Sequence, residues 1–385
     1  MDYYRDALSL HYKNKGKIEI ISKVPLRNKD DLSTAYTPGV AAPCLEIKED
    51  GSRVYDYTAK GNLVAVVTDG SAVLGLGNIG AKAALPVMEG KAILFKEFAN
   101  VDAFPICIET QDVDQIVNII KNISPGFGAI NLEDISAPRC FDIEQRLQDE
   151  IDIPVFHDDQ HGTAIVTLAA LINTASLVGK ELNSLKVVIN GAGAAGTAIT
   201  KILIASGVKD IVVCDSKGIL CKNREGGLDR YKEELSLITN PGDRIGTLKD
   251  AIKERDVFIG VSSAGVLTPE MVKTMNEDSI IFAMANPEPE IMPDLAKQAG
   301  ARVVGTGRSD FPNQINNTLI FPGLLKGALE AKAKKITQEM KIAAAYALAG
   351  SIDPNELNEN HILPSPLQRG IAEKVSAAVA NAWAE

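Results

Sequence analysis

Residues 186–196 read K-V-V-I-N-G-A-G-A-A-G. A β-branched run that passes without a break into G-x-G-x-x-G predicts a strand, a tight turn and the start of a helix, which together open a dinucleotide-binding βαβ unit. Residues 197–206 supply the expected helix, Gly207 ends it, and residues 211–214 form a second strand that closes on Asp215. That acid comes 24 residues after Gly191, near where a carboxylate for the ribose hydroxyls is expected. Gly191, Ala192, Gly193, Ala194, Ala195 and Gly196 are therefore the expected pyrophosphate cradle, with the anion on the helix N-terminus. Asp215 favours the free ribose of NAD, whereas Ser216 and Lys217 directly after it can hold the 2′-phosphate of NADP. Both cofactors stay open.

Working outward, a second match by letter stands at Gly75-x-Gly77-x-x-Gly80. It follows residues 63–76, whose central Asp69-Gly70 predicts a hairpin of two short strands. A hairpin is the wrong lead-in for a dinucleotide loop, so the cofactor is assigned to the later match. Downstream of Asp215 the alternation continues, with strands expected at 257–261, 280–283 and 302–304 and short helices at 248–252, 269–275 and 294–299. The Ala/Leu/Lys-rich stretches 324–348 and 366–384 read as helices that fold back on the first half or cover the sheet. Upstream, residues 2–13 form a weak helix and 18–24 a short strand or turn. A loop at 32–40 presents Tyr36 before the Pro38-Gly39 turn. A helix at 81–98, interrupted near Pro86 and Gly90, precedes a strand at 103–108, a helix at 112–123 capped by Asp112, and a strand at 129–132.

A chain of 385 residues exceeds one ordinary core, so an α/β fold in two domains is expected. A net charge of −10 argues against nucleic acid and anionic membrane as main partners. The five cysteines form no C-x-x-C pair and read as buried small hydrophobes in a reducing compartment. The start, Met1-Asp2-Tyr3-Tyr4-Arg5-Asp6, is too polar for a signal peptide. The apolar run 164–178 is broken by Thr167, Asn173, Thr174 and Ser176 and is too short for a bilayer span. A cytoplasmic protein is expected.

The chemistry concentrates where apolar runs end in acids. Residues 155–164 read V-F-H-D-D-Q-H-G-T-A, with Asp158 and Asp159 between an apolar run and an apolar helix. Residues 129–132 end likewise in Glu133-Asp134. Each pair can be a helix cap or solvated turn; two such pairs can also share one hard cation, Mg²⁺ or Mn²⁺. His157 and His161 have the H-x-x-x-H spacing of zinc ligands, but the segment follows a strand, carries Asp where the hydrolase motif needs Glu, and meets Gly162. Lys91, in M-E-G-K-A-I-L-F-K, is either a snorkelling surface residue or a base with a depressed pKa.

In this order the motifs resemble the malic enzymes. The resemblance rests on A-Y-T-P-G-V-A at 35–41, T-D-G…L-G-L-G at 68–77, Gly90-Lys91 and N-L-E-D-I at 131–135. It extends through F-H-D-D-Q-H-G-T-A at 156–164, G-A-G-A-A-G at 191–196, A-N-P at 285–287 and N-N…F-P-G at 316–323. The length is similar to the short bacterial form, without a phosphotransacetylase-like extension. The resemblance implies a substrate, metal and dimerisation domain at 1–160, a Rossmann NAD(P)-binding domain at 161–322 and a C-terminal helical segment at 323–385. It implies oxidative decarboxylation of L-malate to pyruvate, with Glu133, Asp134 and Asp159 holding Mn²⁺ or Mg²⁺. Lys91 is then the general base, its pKa lowered by burial and the metal, Tyr36 the general acid and Asp158 the partner that tunes Lys91. Asn286 and Asn317 would hold substrate and orient the nicotinamide, beside Tyr36 and Lys91. His157 and His161 revert to roles in the structure or in supporting the metal ligands.

One departure stands out: long-form relatives carry an arginine for the substrate carboxylate where this chain has Ser71-Ala72-Val73. A backbone nest, a lysine or Arg308 must then make that contact. Short forms are also expected to dimerise, with Tyr36 able to serve the neighbouring subunit. Rival readings are a malolactic reaction with recycled NAD, a non-catalytic dinucleotide-binding regulator and a zinc hydrolase.

Overall fold

The computed structural model describes residues 2–222, 224 and 226–384, apart from the Leu74 side chain. Among the described residues, ten strands form two sheets. The first contains β1 (Leu63–Thr68), β2 (Asp102–Cys107), β3 (Ala129–Leu132) and β4 (Val155–His157), all parallel in the order β2-β1-β3-β4. The second contains β5 (Lys186–Asn190), β6 (Asp210–Asp215), β7 (Gly218–Ile219), β8 (Val257–Gly260), β9 (Ile280–Ala283) and β10 (Val303–Thr306). Its order is β10-β9-β8-β5-β6-β7, and β7 alone runs antiparallel. The central strands are nearly continuous buried apolar runs, as strands covered on both faces must be.

The helices are α1 (Tyr3–Asn14), α2 (Lys29–Ala35), α3 (Ala41–Glu49), α4 (Val54–Tyr57), α5 (Ala81–Ala99), α6 (Val113–Ile123), α7 (Arg139–Glu150) and α8 (Thr163–Leu177). They continue as α9 (Ala194–Ala205), α10 (Arg230–Ile238), α11 (Leu248–Ala251), α12 (Pro269–Val272), α13 (Pro293–Gln298), α14 (Phe321–Glu330), α15 (Gln338–Ala349) and α16 (Ile371–Ala382). Each sheet reverses its strand order once, between β1 and β3 and between β5 and β8. Ligands of open α/β sheets bind beyond the carboxyl ends at these reversals. The fold is thus a two-sheet α/β architecture with a Rossmann-type half.

One core joins the sheets: Val64 and Val66 of β1, the apolar residues of α8, and Val187 and Ile189 of β5 pack in a single cluster. The C-terminal helices complete it, α14 packing on α5 and α16, and α15 on α8. Each sheet's other face has its own smaller core. No described helix is long and apolar enough to cross a membrane.

Several expectations fail locally. Residues 63–76 form no hairpin: β1 stands alone, and its neighbours β2 and β3 arrive by crossover. After β1 the chain turns at Gly70, whose carbonyl accepts the N–H groups of Ile79 and Gly80. Of the strand or turn expected at residues 18–24, the strand does not form and the chain bends at Lys23 and Val24. Helix α5 runs unbroken through Pro86 and Gly90, because the stripe Ala81, Ala84, Met88, Ala92, Phe95 and Ala99 is buried along its length. That packing outweighs a propensity cost of about 3–4 kcal/mol. Cys44 is exposed and Cys107 half-buried; only Cys140, Cys214 and Cys221 lie in the core. The reason at Cys44 is its neighbourhood, since none of residues 2–59 is buried.

Helices α14 and α16 touch backbone to backbone at Gly323, where a Cβ would stand 2.6 Å from the Ala372 carbonyl oxygen. Gly323→Ala is expected to destabilise the chain by about 1–3 kcal/mol. The checking measurement is a denaturant midpoint that falls while the m value stays constant.

Candidate active site

Register brings the acids together. In the first sheet Leu132 pairs with His157, so the next residues of the two parallel strands, Glu133 and Asp158, leave the sheet side by side. Asp134 and Asp159 follow, and the Asp134 N–H donates to the Asp159 carboxylate at 2.8 Å. The Ala72 N–H donates to the Asp134 carbonyl, tying in the end of β1. Asp134 lies at φ +54°, a left-handed conformation uncommon outside glycine and here fixed by those bonds. Two acid pairs 25 residues apart thus form one cluster because β3 and β4 are neighbours.

Lys91 reaches this cluster from α5. Its position belongs to the buried stripe of that helix, so its side chain must enter the core. Its Nζ lies 2.6 Å from Asp158 and 3.0 Å from Glu133, with the Phe321 ring of α14 4.2 Å away. Asn317 donates to the same Asp158 oxygen at 2.7 Å. Burial alone would lower the pKa of Lys91, but the carboxylates of Asp158, Glu133 and Asp159 outweigh it and the net direction is upward. Burial acts downward as the sequence reading expects, while Asp158, its expected tuning partner, and Glu133 act upward. Burial also pushes Glu133 up to about 7 and Asp158 and Asp159 up to about 6, against the pull of Lys91.

Glu133, Asp134 and Asp159 each offer an oxygen within 4.8 Å of the others. Asp159, with its side chain 36 % exposed, opens the trio toward solvent. Three carboxylates with a solvent-facing side match the oxygen-rich, partly hydrated coordination of Mg²⁺ or Mn²⁺. Neither histidine joins a three-ligand group among the described residues. His157 is wholly buried at the end of β4, and His161 bonds to Glu144 and Lys341, so the zinc pair does not form.

The dinucleotide loop follows the sequence reading. The Gly191 N–H donates to the Cys214 carbonyl, and a Cβ at Gly196 would stand 1.7 Å from the Gly191 oxygen. A Cβ at Gly193 would meet nothing, so this face of the loop is open where α9 begins. Asp215 ends β6 as expected, but all its acceptor capacity is used. One oxygen accepts from the Lys217 N–H and Arg224, the other from Arg224 and Lys232. Burial would raise its pKa; the Arg224 fork, the Lys217 N–H and Lys232 outweigh this and hold it at about 2. Ser216 and Lys217 are exposed beside it.

The remaining candidates scatter. Tyr36 caps the end of α2, 67 % exposed, and makes no described bond to the Lys91 cluster. Asn286 is exposed after β9, facing the loop after β10, where a Cβ on Gly307 would stand 3.0 Å from its amide nitrogen. Arg308 is engaged by Asp310 and the Pro287 carbonyl. Sequence reasoning missed Glu144, Arg224, Lys232 and Glu290. Glu290 is fully buried and ties together the loops after β8 and β9 through the N–H groups of Ser262 and Ala285. Glu144 left a trace: it falls in the apolar stripe of α7 with Cys140, Ile143 and Leu147.

A Rossmann half with a G-x-G-x-x-G loop, joined to a sheet that ends in a lysine–carboxylate cluster, defines a nicotinamide-dependent oxidoreductase of two α/β halves. The profile of the malic enzyme N-terminal domain matches residues 15–148, and that of the malic enzyme NAD-binding domain matches residues 160–384. The chain is 60 % identical over 385 residues to the bifunctional malic/malolactic enzyme of Bacillus subtilis, covering all of this chain and 94 % of that one. It is 47 % identical over 398 residues to the NADP-dependent malic enzyme of Haemophilus influenzae, covering 98 % of this chain and 52 % of the longer relative. The crystal structure of the NAD-dependent malic enzyme of Thermotoga maritima superposes with a TM-score of 0.94 at 50 % identity, covering 97 % and 98 % of the two chains. The chain belongs to the malic enzyme family.

Lys91→Met is expected to leave Glu133 and Asp158 as uncompensated buried anions and, without divalent cations near pH 8, to cost about 3–5 kcal/mol. Carboxyls whose folded pKa lies above the unfolded value destabilise when ionised, and without the pull of Lys91 both lie above their values of about 7 and 6 beside it, so the loss should already shrink as pH falls from 8. Thermal melts from pH 8 to pH 5 check this.

Proposed function

We propose that the chain oxidatively decarboxylates L-malate to pyruvate and CO₂ with NAD or NADP and a divalent cation. The observation that carries the reading is the Lys91 ammonium held between Asp158 and Glu133, directly beside the Glu133–Asp134–Asp159 trio. Lys91 takes the proton of the C2 hydroxyl. The loop at residues 191–196 would hold the nicotinamide dinucleotide, which would supply the hydride acceptor, and Glu133, Asp134 and Asp159 would hold Mn²⁺ or Mg²⁺, which would supply Lewis-acid polarisation for loss of CO₂. Carboxylates engaged by a cation support the proton on Lys91 less, which moves the lysine toward the neutral form a base needs. Asp158, gripped by Lys91 and Asn317, keeps the amine aimed. Asn317 and Asn286 present amides for the substrate carboxylates and the nicotinamide end. Tyr36 donates the proton that converts the enolate to pyruvate.

We further place the chain in the cytoplasm as a homodimer. Residues 2–59 bury nothing, and Tyr4, Tyr12 and Ile20 are 89 %, 90 % and 84 % exposed. So large an apolar face marks an interaction surface, and a second copy on it would bring Tyr36 to a neighbouring site. A second reading, malate to lactate with recycled NAD, is favoured by the bifunctional name of the Bacillus subtilis relative.

Initial rates with malate, comparing NAD with NADP and Mn²⁺ with a chelator, test the proposal. Steady cofactor reduction that stops on chelation is expected; lactate without reduced cofactor would favour the second reading. Lys91→Ala and Tyr36→Phe should each lower turnover by roughly 10²–10⁴. Both should leave dinucleotide affinity unchanged in a fluorescence titration with NADH.

A further inference from the structure

Residues 158–162, which carry Asp158 and Asp159, form one wide π-type turn between β4 and α8. Such a turn lacks the regular helical ladder, so its shape depends on outside support. One side chain supplies most of it. Glu144 of α7, buried beneath the turn, accepts the His157 N–H on Oε1 at 3.1 Å. Its Oε2 accepts the Gln160 amide at 3.1 Å and faces His161 Nε2 at 3.0 Å. One carboxylate thus holds the residue before the two aspartates and the two residues after them.

The chain of contacts continues. His161 Nδ1 faces the Nζ of Lys341, a buried residue of α15, at 3.1 Å. An ammonium only donates and a carboxylate only accepts. His161 therefore carries its proton on Nε2, donates it to Glu144 and accepts from Lys341. The cation of Lys341 and the anion of Glu144 are matched through a neutral ring, and helix α15 becomes part of the support. Glu144 has no described bond to Lys91, Glu133, Asp134 or Asp159.

We propose that Glu144 is a positioning residue: braced by His161 and Lys341, it sets the turn that aims Asp158 at Lys91 and Asp159 at the cation site. The inference rests on the metal-dependent reading above. Orientation of ligands by hydrogen-bonded neighbours is commonly worth 10–100-fold in metal affinity. The hydrogen bonds of Glu144, His161 and Lys341 described above do not go to residues 191–196, although the turn itself packs on α9, so NADH affinity is the control that separates an effect on the cation site from one on the loop.

The test measures Mn²⁺ dissociation constants by electron paramagnetic resonance of free Mn²⁺, NADH affinity by fluorescence, and kcat and KM for malate. Wild type, Glu144→Ala and Glu144→Gln are compared. Glu144→Ala is expected to weaken Mn²⁺ about 10–100-fold and to lower kcat in step, with NADH affinity within twofold of wild type. Glu144→Gln keeps an oxygen for the His157 N–H and should fall between the two. If Glu144→Ala does not fold, Glu144→Gln decides, with a loss of at least threefold in Mn²⁺ affinity at unchanged NADH affinity expected. Mn²⁺ affinity within twofold of wild type in the folded variants overturns the inference, as does a parallel loss of Mn²⁺ and NADH affinity, which marks a merely structural role. Wild-type protein that binds no Mn²⁺ overturns the metal reading beneath it and this inference together.

Discussion

A single ammonium between two buried carboxylates organises the first half of this molecule. Removing Lys91, Asp158 and Glu133 from water is costly, and only short, well-satisfied contacts offset the cost. The contacts at 2.6 and 3.0 Å meet that demand, and they constrain everything around them. Helix α5 must run straight enough to deliver Lys91, β3 and β4 must be neighbours in one register, and α14 must close over the ammonium with Phe321. An ion group this expensive is weak evidence for stability as such. Its placement at the end of a parallel sheet, with a carboxylate trio alongside, gives it a chemical rationale.

The two halves solve the same geometric problem twice. Each is a parallel sheet whose strand order reverses once, and each places its reactive chemistry beyond the strand ends near that reversal. One reversal offers backbone and an open glycine face; the other offers carboxylates and a lysine. Because α8 is buried against both sheets, the two ends are held in a fixed relation by shared core rather than by a linker. The C-terminal helices belong to that arrangement, since α14 supplies the lid over Lys91 and α15 the lysine that braces His161.

Much of this was legible in the sequence where a local signal had one physical cause. The strand–G-x-G-x-x-G–helix unit at 186–205 was readable because each glycine answers a steric demand, and both acid pairs because each ends an apolar run. The hairpin at Asp69-Gly70 failed because the same turn letters serve a strand end whose partners arrive from far along the chain. Pro86 and Gly90 misled because propensity is weak against a continuous buried stripe. For Lys91 the burial was legible in a pattern, whereas Glu133 as a second anion touching it depends on register between distant strands. Arg224 and Lys232 filling the acceptor sites of Asp215 left no trace at all, being exposed-type residues in an unpatterned stretch.

The helices before Lys60 are short and bury no side chain, and isolated helices of that length are marginal in water. In the homodimer proposed above, a second copy would supply much of the surface that orders them. On that proposal the persistence of the segment, and of any step that uses Tyr36, would become a matter of concentration, with both sheets and their shared core indifferent to dilution.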